Sequence, residues 1–239
     1  MCLKKSLVAF CLVFFIISCE NDTTIVFLNS NITTEDNSIV AINIPIASGN
    51  TEILSSINSA LNDLIISILQ IGDIEDSSPK SIEESITAFN QEYKDFITDF
   101  PDSSQHWEAQ IDGEVIHQSS EIISIATTSY INTGGAHGNL NISLINFNAA
   151  TGNLISNTNL FKNINNLKKM AFPYFNEAIK EKDILLESNS FELPANIAYS
   201  KEGIIFLYNA YEIASYSTGI IEFTIPYNVI NSFLVFKGS

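Results

Sequence analysis

Residues 133–138 read TGGAHG and lie between two stretches that alternate apolar and polar side chains. A glycine-rich loop around one histidine can cradle a phosphate, supply a metal ligand or hold a general base. This is because glycine lets the backbone approach a ligand closely. The same residues also make an ordinary turn between two strands. The choice among these alternatives decides whether the chain has a catalytic centre.

The sequence around this loop argues against phosphate binding. The loop lacks the GxxxxGK[ST] spacing of a phosphate-binding loop. The segment that follows it, NLNISLINF, alternates as a strand does, whereas a dinucleotide-binding loop opens a helix. We therefore favour a strand-to-strand connection, in which glycines adopt positive φ angles and His137 bonds neighbouring backbone.

Metal and nucleophilic chemistry find little support in the residue spacing. The histidines occur in no HExxH or HxH pattern, and the chain has no GxSxG elbow. If Asp112-Gly113 is a tight hairpin turn, Glu108 faces His117, and a zinc site would require His137 to fold onto that pair. We expect no metal, no cofactor and no catalytic residue.

The N-terminus has the features of an export signal. Lys4 and Lys5 precede an apolar run that is too short to span a bilayer, which takes about 20 residues. The run ends in Ile-Ile-Ser-Cys, which resembles a bacterial lipobox, so we predict a lipoprotein signal peptide over residues 1–18 and lipidation of Cys19. Residues 19–36 are then a tether, and the protein is anchored by lipid at the periplasmic face or the cell surface.

The composition limits the partners. The net charge is −16, the chain contains no arginine, and removal of the signal peptide makes the charge more negative still. Such a surface repels nucleic acid and attracts basic proteins. We therefore expect no nucleic-acid partner. With Cys2 and Cys11 removed and Cys19 acylated, stability must come from the apolar core alone.

Two segments have apolar residues at helical spacing. The first helix begins after Asn50 or Thr51, and the second opens with the capping-box pair Ser81 and Glu84 and stops at Pro101. Their predicted apolar faces are Ile53, Leu54, Ile57, Leu61, Leu64, Ile65, Ile68 and Leu69 in the first, and Ile82, Ile86, Phe89, Tyr93, Phe96 and Ile97 in the second.

The remaining segments are mainly strand-like. A strand over 38–47 is predicted to end at Pro45, and a hairpin turns near Thr151-Gly152. Residues 160–182 read as a helix with a kink or a boundary at Pro173. Residues 203–227 read as strands, and a short terminal helix follows. Strands and helices that do not alternate regularly predict an α+β fold, an antiparallel sheet with helices packed on it.

Two motifs together resemble a known family. The stretch YINTGGAHGNLNISLINFNAATGNLI and the later stretch FLYNAYEIASYSTGIIEFTIPY are similar to the paired DUF4163/DUF3298 domains, the PdaC/RsiV-like fold. The resemblance implies two intimately packed subdomains, DUF4163-like over 37–110 and DUF3298-like over 111–239. The matching positions, which we interpret as scaffold, are Tyr130, Gly134, Gly135, Ala136, His137, Gly138, Gly152, Tyr211, Glu212, Tyr216, Gly219, Pro226 and Tyr227.

In RsiV-like members the module recognises lysozyme, and in PdaC-like members it precedes a polysaccharide deacetylase domain. Neither a sigma-binding segment nor that catalytic domain is recognisable here, so we expect neither activity to carry over. The resemblance implies a cell-envelope lipoprotein with a non-catalytic recognition domain that binds a basic, lysozyme-like protein or wall glycan (peptidoglycan). An enzyme acting on envelope polysaccharide and a purely structural envelope component are the alternatives.

Overall fold

The computed structural model describes residues 25–49, 51–72, 79–182, 184 and 191–238. The predicted signal peptide and the lipidation site at Cys19 lie outside the described residues. The described part of the predicted tether, residues 25–36, contains a paired strand, β1 (Val26–Ile32).

The described strands form two sheets. The larger sheet has the order β1-β2-β3-β4-β5-β6, and its neighbours are antiparallel except for the parallel pair β2–β3. Parallel neighbours need a crossover, which two helices supply between β2 and β3. The strands after β1 are β2 (Val40–Ser48), β3 (Glu108–Gln118), β4 (Ile122–Asn132), β5 (Asn139–Asn148) and β6 (Leu154–Ile155).

The crossover helices are α1 (Glu52–Leu69) and α2 (Ile82–Asp99), as the sequence predicts. The Thr51 hydroxyl caps α1 by accepting the Leu54 N–H, and the Ser81 hydroxyl accepts the Glu84 N–H at 3.1 Å. By length and composition α1 would suffice to cross a membrane, but it is amphipathic and buries one face against the rest of the protein. Its buried face consists of Leu54, Ile57, Leu61, Ile65 and Leu69.

The predicted hairpin turn at Asp112-Gly113 is wrong, because β3 runs straight through it and the chain turns at residues 119–121. Gly113 is needed for a different reason. A Cβ at this position would come within 2.8 Å of the Pro45 ring, so glycine lets β3 pass close to β2. The strand predicted to end at Pro45 likewise continues to Ser48.

The smaller sheet has three antiparallel strands, β7 (Asn196–Tyr199), β8 (Gly203–Tyr208) and β9 (Ile221–Pro226). Helix α3 (Ile164–Ile179), with Pro173 inside it, packs on this sheet, and α4 (Tyr227–Ile230) follows β9. The prediction of strands throughout 203–227 is wrong for residues 209–220, which form a loop with one 3-10 turn at Tyr216–Thr218.

Asparagine side chains join the two sheets along the free edge of β5. Asn209 pairs with Ile142 as a strand would, accepting its N–H at 2.9 Å and donating to its carbonyl at 2.8 Å. Asn196 accepts the Leu144 N–H at 2.9 Å, and Asn146 donates to the Ile197 carbonyl at 2.7 Å. These amides satisfy strand groups that would otherwise be left open at a sheet edge.

The deepest of these contacts is a buried polar network. The Ser124 hydroxyl donates to the Asn146 side-chain oxygen at 2.6 Å and accepts the Tyr199 N–H at 3.2 Å. Both Ser124 and Asn146 are buried, so water cannot replace a lost partner. The α+β class with helices on a largely antiparallel sheet is thus confirmed, whereas the proposed subdomain boundary at 110/111 stays a prediction.

We predict that Asn146→Ala lowers the free energy of unfolding by about 2–4 kcal/mol. It leaves the Ile197 carbonyl and the Ser124 hydroxyl buried without this partner. Asn141→Ala, an exposed position on the same strand, should change stability by less than about 0.5 kcal/mol. Urea unfolding of both variants measures this, and equal stabilities would contradict the role given to the Asn146 amide.

Candidate functional site

The two motifs identified in the sequence meet in space. Residues 133–138, here called the glycine loop, connect β4 to β5, and residues 209–220, here called the tyrosine loop, connect β8 to β9. Asn209 is hydrogen-bonded to Ile142 on β5, a few residues beyond the glycine loop. The asparagine contacts between the sheets therefore bring the loops together.

The glycine loop is shaped by close packing. Gly134 has φ +82°, which favours glycine, and its N–H donates to the Asn132 side chain at 3.0 Å. Gly138 lies against the ring of Tyr130, and a Cβ on Gly138 would overlap that ring. By contrast, a Cβ on Gly135 would meet only the His137 carbonyl, at 3.6 Å.

The tyrosine loop is held by Glu212. Its carboxylate accepts the backbone N–H groups of Ala195 at 2.8 Å and Asn209 at 2.9 Å. The Glu212 carboxylate thus bonds backbone groups, with no hydrogen bond to a neighbouring tyrosine hydroxyl among the described residues. The Tyr216 hydroxyl donates to the Gly138 carbonyl at 3.1 Å and so joins the tyrosine loop to the glycine loop.

Three rings form an aromatic cluster, here called the aromatic face (His137, Tyr211 and Tyr216). The ring of His137 stacks on that of Tyr216 with centroids 3.8 Å apart and planes at 15°. Tyr211 lies beside Tyr216 at 5.6 Å, tilted by 33°. Because the Gly138 carbonyl can only accept, His137 Nδ1, 3.0 Å away, donates to it, and in the neutral ring Nε2 is an acceptor.

The aromatic face is exposed, although Tyr211 and Tyr216 are among the positions interpreted from the sequence as scaffold. Tyr211 is 64% exposed and Tyr216 is 36% exposed. Tyr211 also has φ +68°, the one non-glycine residue with a positive φ among those described. Hydrogen bonds to the backbone hold this loop in place, so its rings need not be buried to order it.

The other motif residues lie apart from this face or serve its backbone. The turn at Gly152 packs on the Ile53 carbonyl at the start of α1, and Gly219 closes the 3-10 turn with φ +72°. Pro226 ends β9, and the Tyr227 hydroxyl donates to the Ser200 carbonyl at 2.7 Å. Burial raises the pKa of Tyr227 to about 12. Ala136 and Gly135 are exposed.

The described residues contain no group of three or more histidine, cysteine or acidic side chains that could hold a metal ion. The predicted pairing of Glu108 with His117 is wrong, because Glu108 lies opposite Asn132 and His117 opposite Ser124. His137 stacks on Tyr216 and does not join His117. His106, at the end of the loop after α2, lies 3.3 Å from the Tyr93 hydroxyl.

His117 is a half-buried group between the two sheets. Its ring lies near Tyr199, and its Nε2 is buried without a hydrogen-bond partner among the described residues. Burial lowers the pKa of His117 below its usual value near 6.5, and a hydrogen bond to the Ser200 backbone offsets part of that effect. The imidazole is therefore held in its neutral form at neutral pH.

Three open depressions on the described surface carry acidic side chains. One, of about 720 Å³, lies at the C-terminal end of α2, and Asp99 and Asp102 line it together with Phe100. A second, of about 400 Å³, lies between the two sheets, and its lining contains Lys201 together with Glu114, Glu202 and Glu222. The third lies beside α1, and its lining contains Glu52 and Asp63.

Sequence reasoning identified the two motifs but not the residue that joins them. Asn209 follows β8 directly, and its amide takes the place of a strand on β5. Nothing local distinguishes it from the many other asparagines in the chain, since its partner lies 67 residues away. The exposure of Tyr211 was missed because the pattern of aromatic residues there suggested a strand.

Two family models match separate parts of the chain. Residues 32–140 match the family model described as Deacetylase PdaC, and residues 158–228 match the model of a protein of unknown function, DUF3298. No curated protein sequence matches the chain.

Two solved structures share the fold. A DUF3298 family protein from Pseudomonas aeruginosa PAO1 superposes with a TM-score of 0.62 at 18% identity, covering 91% of this chain and 97% of that one. A member of the DUF3298 family from Bacteroides fragilis NCTC 9343 gives a TM-score of 0.60 at 17% identity, covering 90% and 96%. At these identities the likeness establishes the fold.

We predict that Gly138→Ala destabilises the protein by about 1–3 kcal/mol, because the new methyl group must displace the Tyr130 ring. Gly135→Ala, three residues earlier in the same loop, has room for the methyl group and should change stability by less than about 0.5 kcal/mol. Thermal unfolding compares the two variants. A Gly135 variant as unstable as the Gly138 variant would contradict the packing described.

We also predict that His117 makes the fold less stable as the pH falls. Above its unfolded-state pKa, near 6.5, His117 is neutral in both states. As the pH falls through that value, the unfolded chain takes up the proton first, so the free energy of unfolding decreases until the lowered folded-state pKa is reached.

The test is the change in melting temperature between about pH 7 and pH 5, the range around the histidine pKa. His117→Gln should make this change smaller than in the wild type. His106→Gln, which removes an exposed histidine, should leave it as in the wild type. Equal changes in all three proteins would show that burial of His117 has no influence on stability.

Proposed function

Because this chain combines a segment of the PdaC family with a DUF3298 segment, we propose that it is a non-catalytic recognition domain. It is carried at the cell envelope by a lipid on Cys19, and its partner is a basic protein of the lysozyme type. The observation that supports this function most is the open, acidic character of the described surface: the three depressions are shallow, and each has two or three carboxylates in its lining. Catalytic sites are usually deeper and enclose most of the ligand.

The negative charge is largely uncompensated. The chain carries 27 acidic and 11 basic side chains, and among the described residues the ion pairs are Lys168–Glu192 and Lys180–Glu177. Exposed carboxylates without cationic neighbours create a field that attracts a basic partner and raises its association rate. The effect weakens with added salt, since the screening length is about 8 Å at physiological ionic strength.

The depression at the end of α2 is the most suitable place for a basic side chain to dock. Asp99 and Asp102 are both exposed there, and the last turn of α2 has no basic residue to offset its negative C-terminal dipole. Phe100, which is 58% exposed, offers an aromatic surface beside these carboxylates. A lysine or arginine side chain could thus pack its stem on Phe100 and place its charge between the acids.

The histidine environments support a binding role over a catalytic one. In the described part of the chain, the histidines contact a tyrosine hydroxyl or backbone oxygens, and none is hydrogen-bonded to a carboxylate or to a serine hydroxyl. A general base oriented by a carboxylate, as nucleophilic catalysis commonly requires, is therefore not assembled there.

The direct test is capture of lysozyme by the immobilised protein at low and at moderate salt. We expect binding at low salt and at least about tenfold weaker binding at moderate salt, as screening of exposed charges requires. No binding at either salt would remove this partner.

The place of docking is tested with a matched pair of variants. Asp99→Asn with Asp102→Asn should weaken lysozyme binding more than Glu35→Gln with Asp36→Asn, which removes the same charge from an exposed turn elsewhere. Equal losses would show that only the overall charge matters and that the α2 depression is not the docking site.

A further inference from the structure

We propose that the aromatic face is a second binding site, separate from the acidic surface, and that it binds a neutral carbohydrate by stacking a sugar ring on Tyr211. The face lies where the glycine loop and the tyrosine loop meet. Its ligand would be a glycan segment without charge. This site does not depend on the lysozyme-type partner, and a different experiment tests it.

Tyr211 strains the backbone and adds little to the stability of the fold. Its φ of +68° is a conformation that side chains other than glycine adopt at an energetic cost. Its ring is 64% exposed, so it contributes little buried area. Glycine would fit this backbone better, which indicates that the tyrosine ring is kept for something other than stability.

The backbone beside Tyr211 and the two neighbouring rings are held in place before any ligand arrives. Glu212, next to Tyr211, fixes the backbone through two N–H groups. Tyr216 is held by its hydroxyl on Gly138 and by the stacked ring of His137. Side chains that are already ordered lose less conformational entropy on binding, so a small contact area suffices for useful affinity.

The ring that is free to stack on a ligand is that of Tyr211. The His137 ring covers one face of Tyr216 at 3.8 Å, whereas Tyr211 lies beside Tyr216 at a tilt of 33° and is 64% exposed, so the site is an open ring and not an enclosed cage. One face of a pyranose ring presents polarised C–H groups, which complement the negative face of an aromatic ring. Its hydroxyls need partners at the rim, where the Tyr211 hydroxyl and the accepting Nε2 of His137 are available.

Other ligands that stack on aromatic rings fit this face less well. A nucleic acid is repelled by the net charge of −16. A cation would gain most where a carboxylate stands free beside the rings, but both oxygens of Glu212 accept backbone N–H groups. A neutral sugar needs neither charge nor enclosure, only the flat rings and the hydrogen-bonding rim.

The experiment titrates the full chain with chitotetraose, cellotetraose and maltotetraose by calorimetry, at low and at high salt. We expect at least one of these neutral oligosaccharides to bind with little dependence on salt, because stacking is not screened as charge attraction is. Tyr211→Ala should weaken that binding by at least about tenfold, the scale of losing one stacked ring. Tyr211→Phe keeps the ring and should retain most of it.

Two further variants separate a binding role from a structural one. Tyr211→Gly should raise the melting temperature, since it relieves the positive φ, and yet abolish sugar binding. Phe100→Ala removes an equally exposed ring elsewhere and should leave sugar binding unchanged.

The inference is overturned if none of the three oligosaccharides binds, or if Tyr211→Ala binds them as the wild type does. It is also overturned if Tyr211→Ala loses lysozyme binding while no sugar binds, which would make the aromatic face part of the protein-binding surface. Sugar binding without any lysozyme binding would support the aromatic-face site and refute the basic-partner proposal.

Discussion

The pairing of asparagine side chains with the free edge of β5 is the constraint on which the rest of the structure depends. Asn209 and Asn196 of the smaller sheet bond the free edge of β5, and Asn146 on β5 bonds the Ile197 carbonyl of β7, so the three-stranded sheet docks on β5 without extending the larger sheet. Because a side-chain amide offers both a donor and an acceptor, it can replace the backbone groups of a pairing strand at one position without continuing the strand. The free edge of β5 is thereby protected from pairing with another strand. Asn209 also fixes the place where the chain leaves β8.

The surface features follow from that docking. The loop after β8 starts at Asn209, so it must run beside β5 and meet the glycine loop that precedes this strand. The Glu212 carboxylate accepts backbone N–H groups and so orders the tyrosine loop, while the rings of Tyr211 and Tyr216 stay exposed to water. The acidic depression at the end of α2 has another origin, the uncompensated charge of a helix end, so the two proposed sites rest on independent physical causes.

Local features of this fold were predictable from sequence, and features set by distant partners were not. Helices α1 and α2 and their caps at Thr51 and Ser81 follow from spacing and cap chemistry, which act within a few residues. Gly113 was read as a turn because the need for it comes from Pro45, which is far away in the sequence. The four-residue strand β7 is too short to show a hydrophobic period. The aromatic residues of the tyrosine loop resemble a strand in sequence, but hydrogen bonds from backbone N–H groups to Glu212 hold this segment as a loop. The same holds for the candidate site: its two motifs were visible in sequence, but their contact was not.

NMR of the histidine side chains tests directly whether the asparagine contacts assemble the aromatic face. With three histidines in the chain, the imidazole protons of His137 can be assigned by substitution. Stacking on Tyr216 at 3.8 Å should shift them strongly upfield. In Asn209→Ala the shift should be lost, as it should in Tyr216→Leu, whereas Asn141→Ala should keep it. His137 resonances at unshifted positions in the wild type, or an upfield shift that survives in Asn209→Ala, would contradict this account.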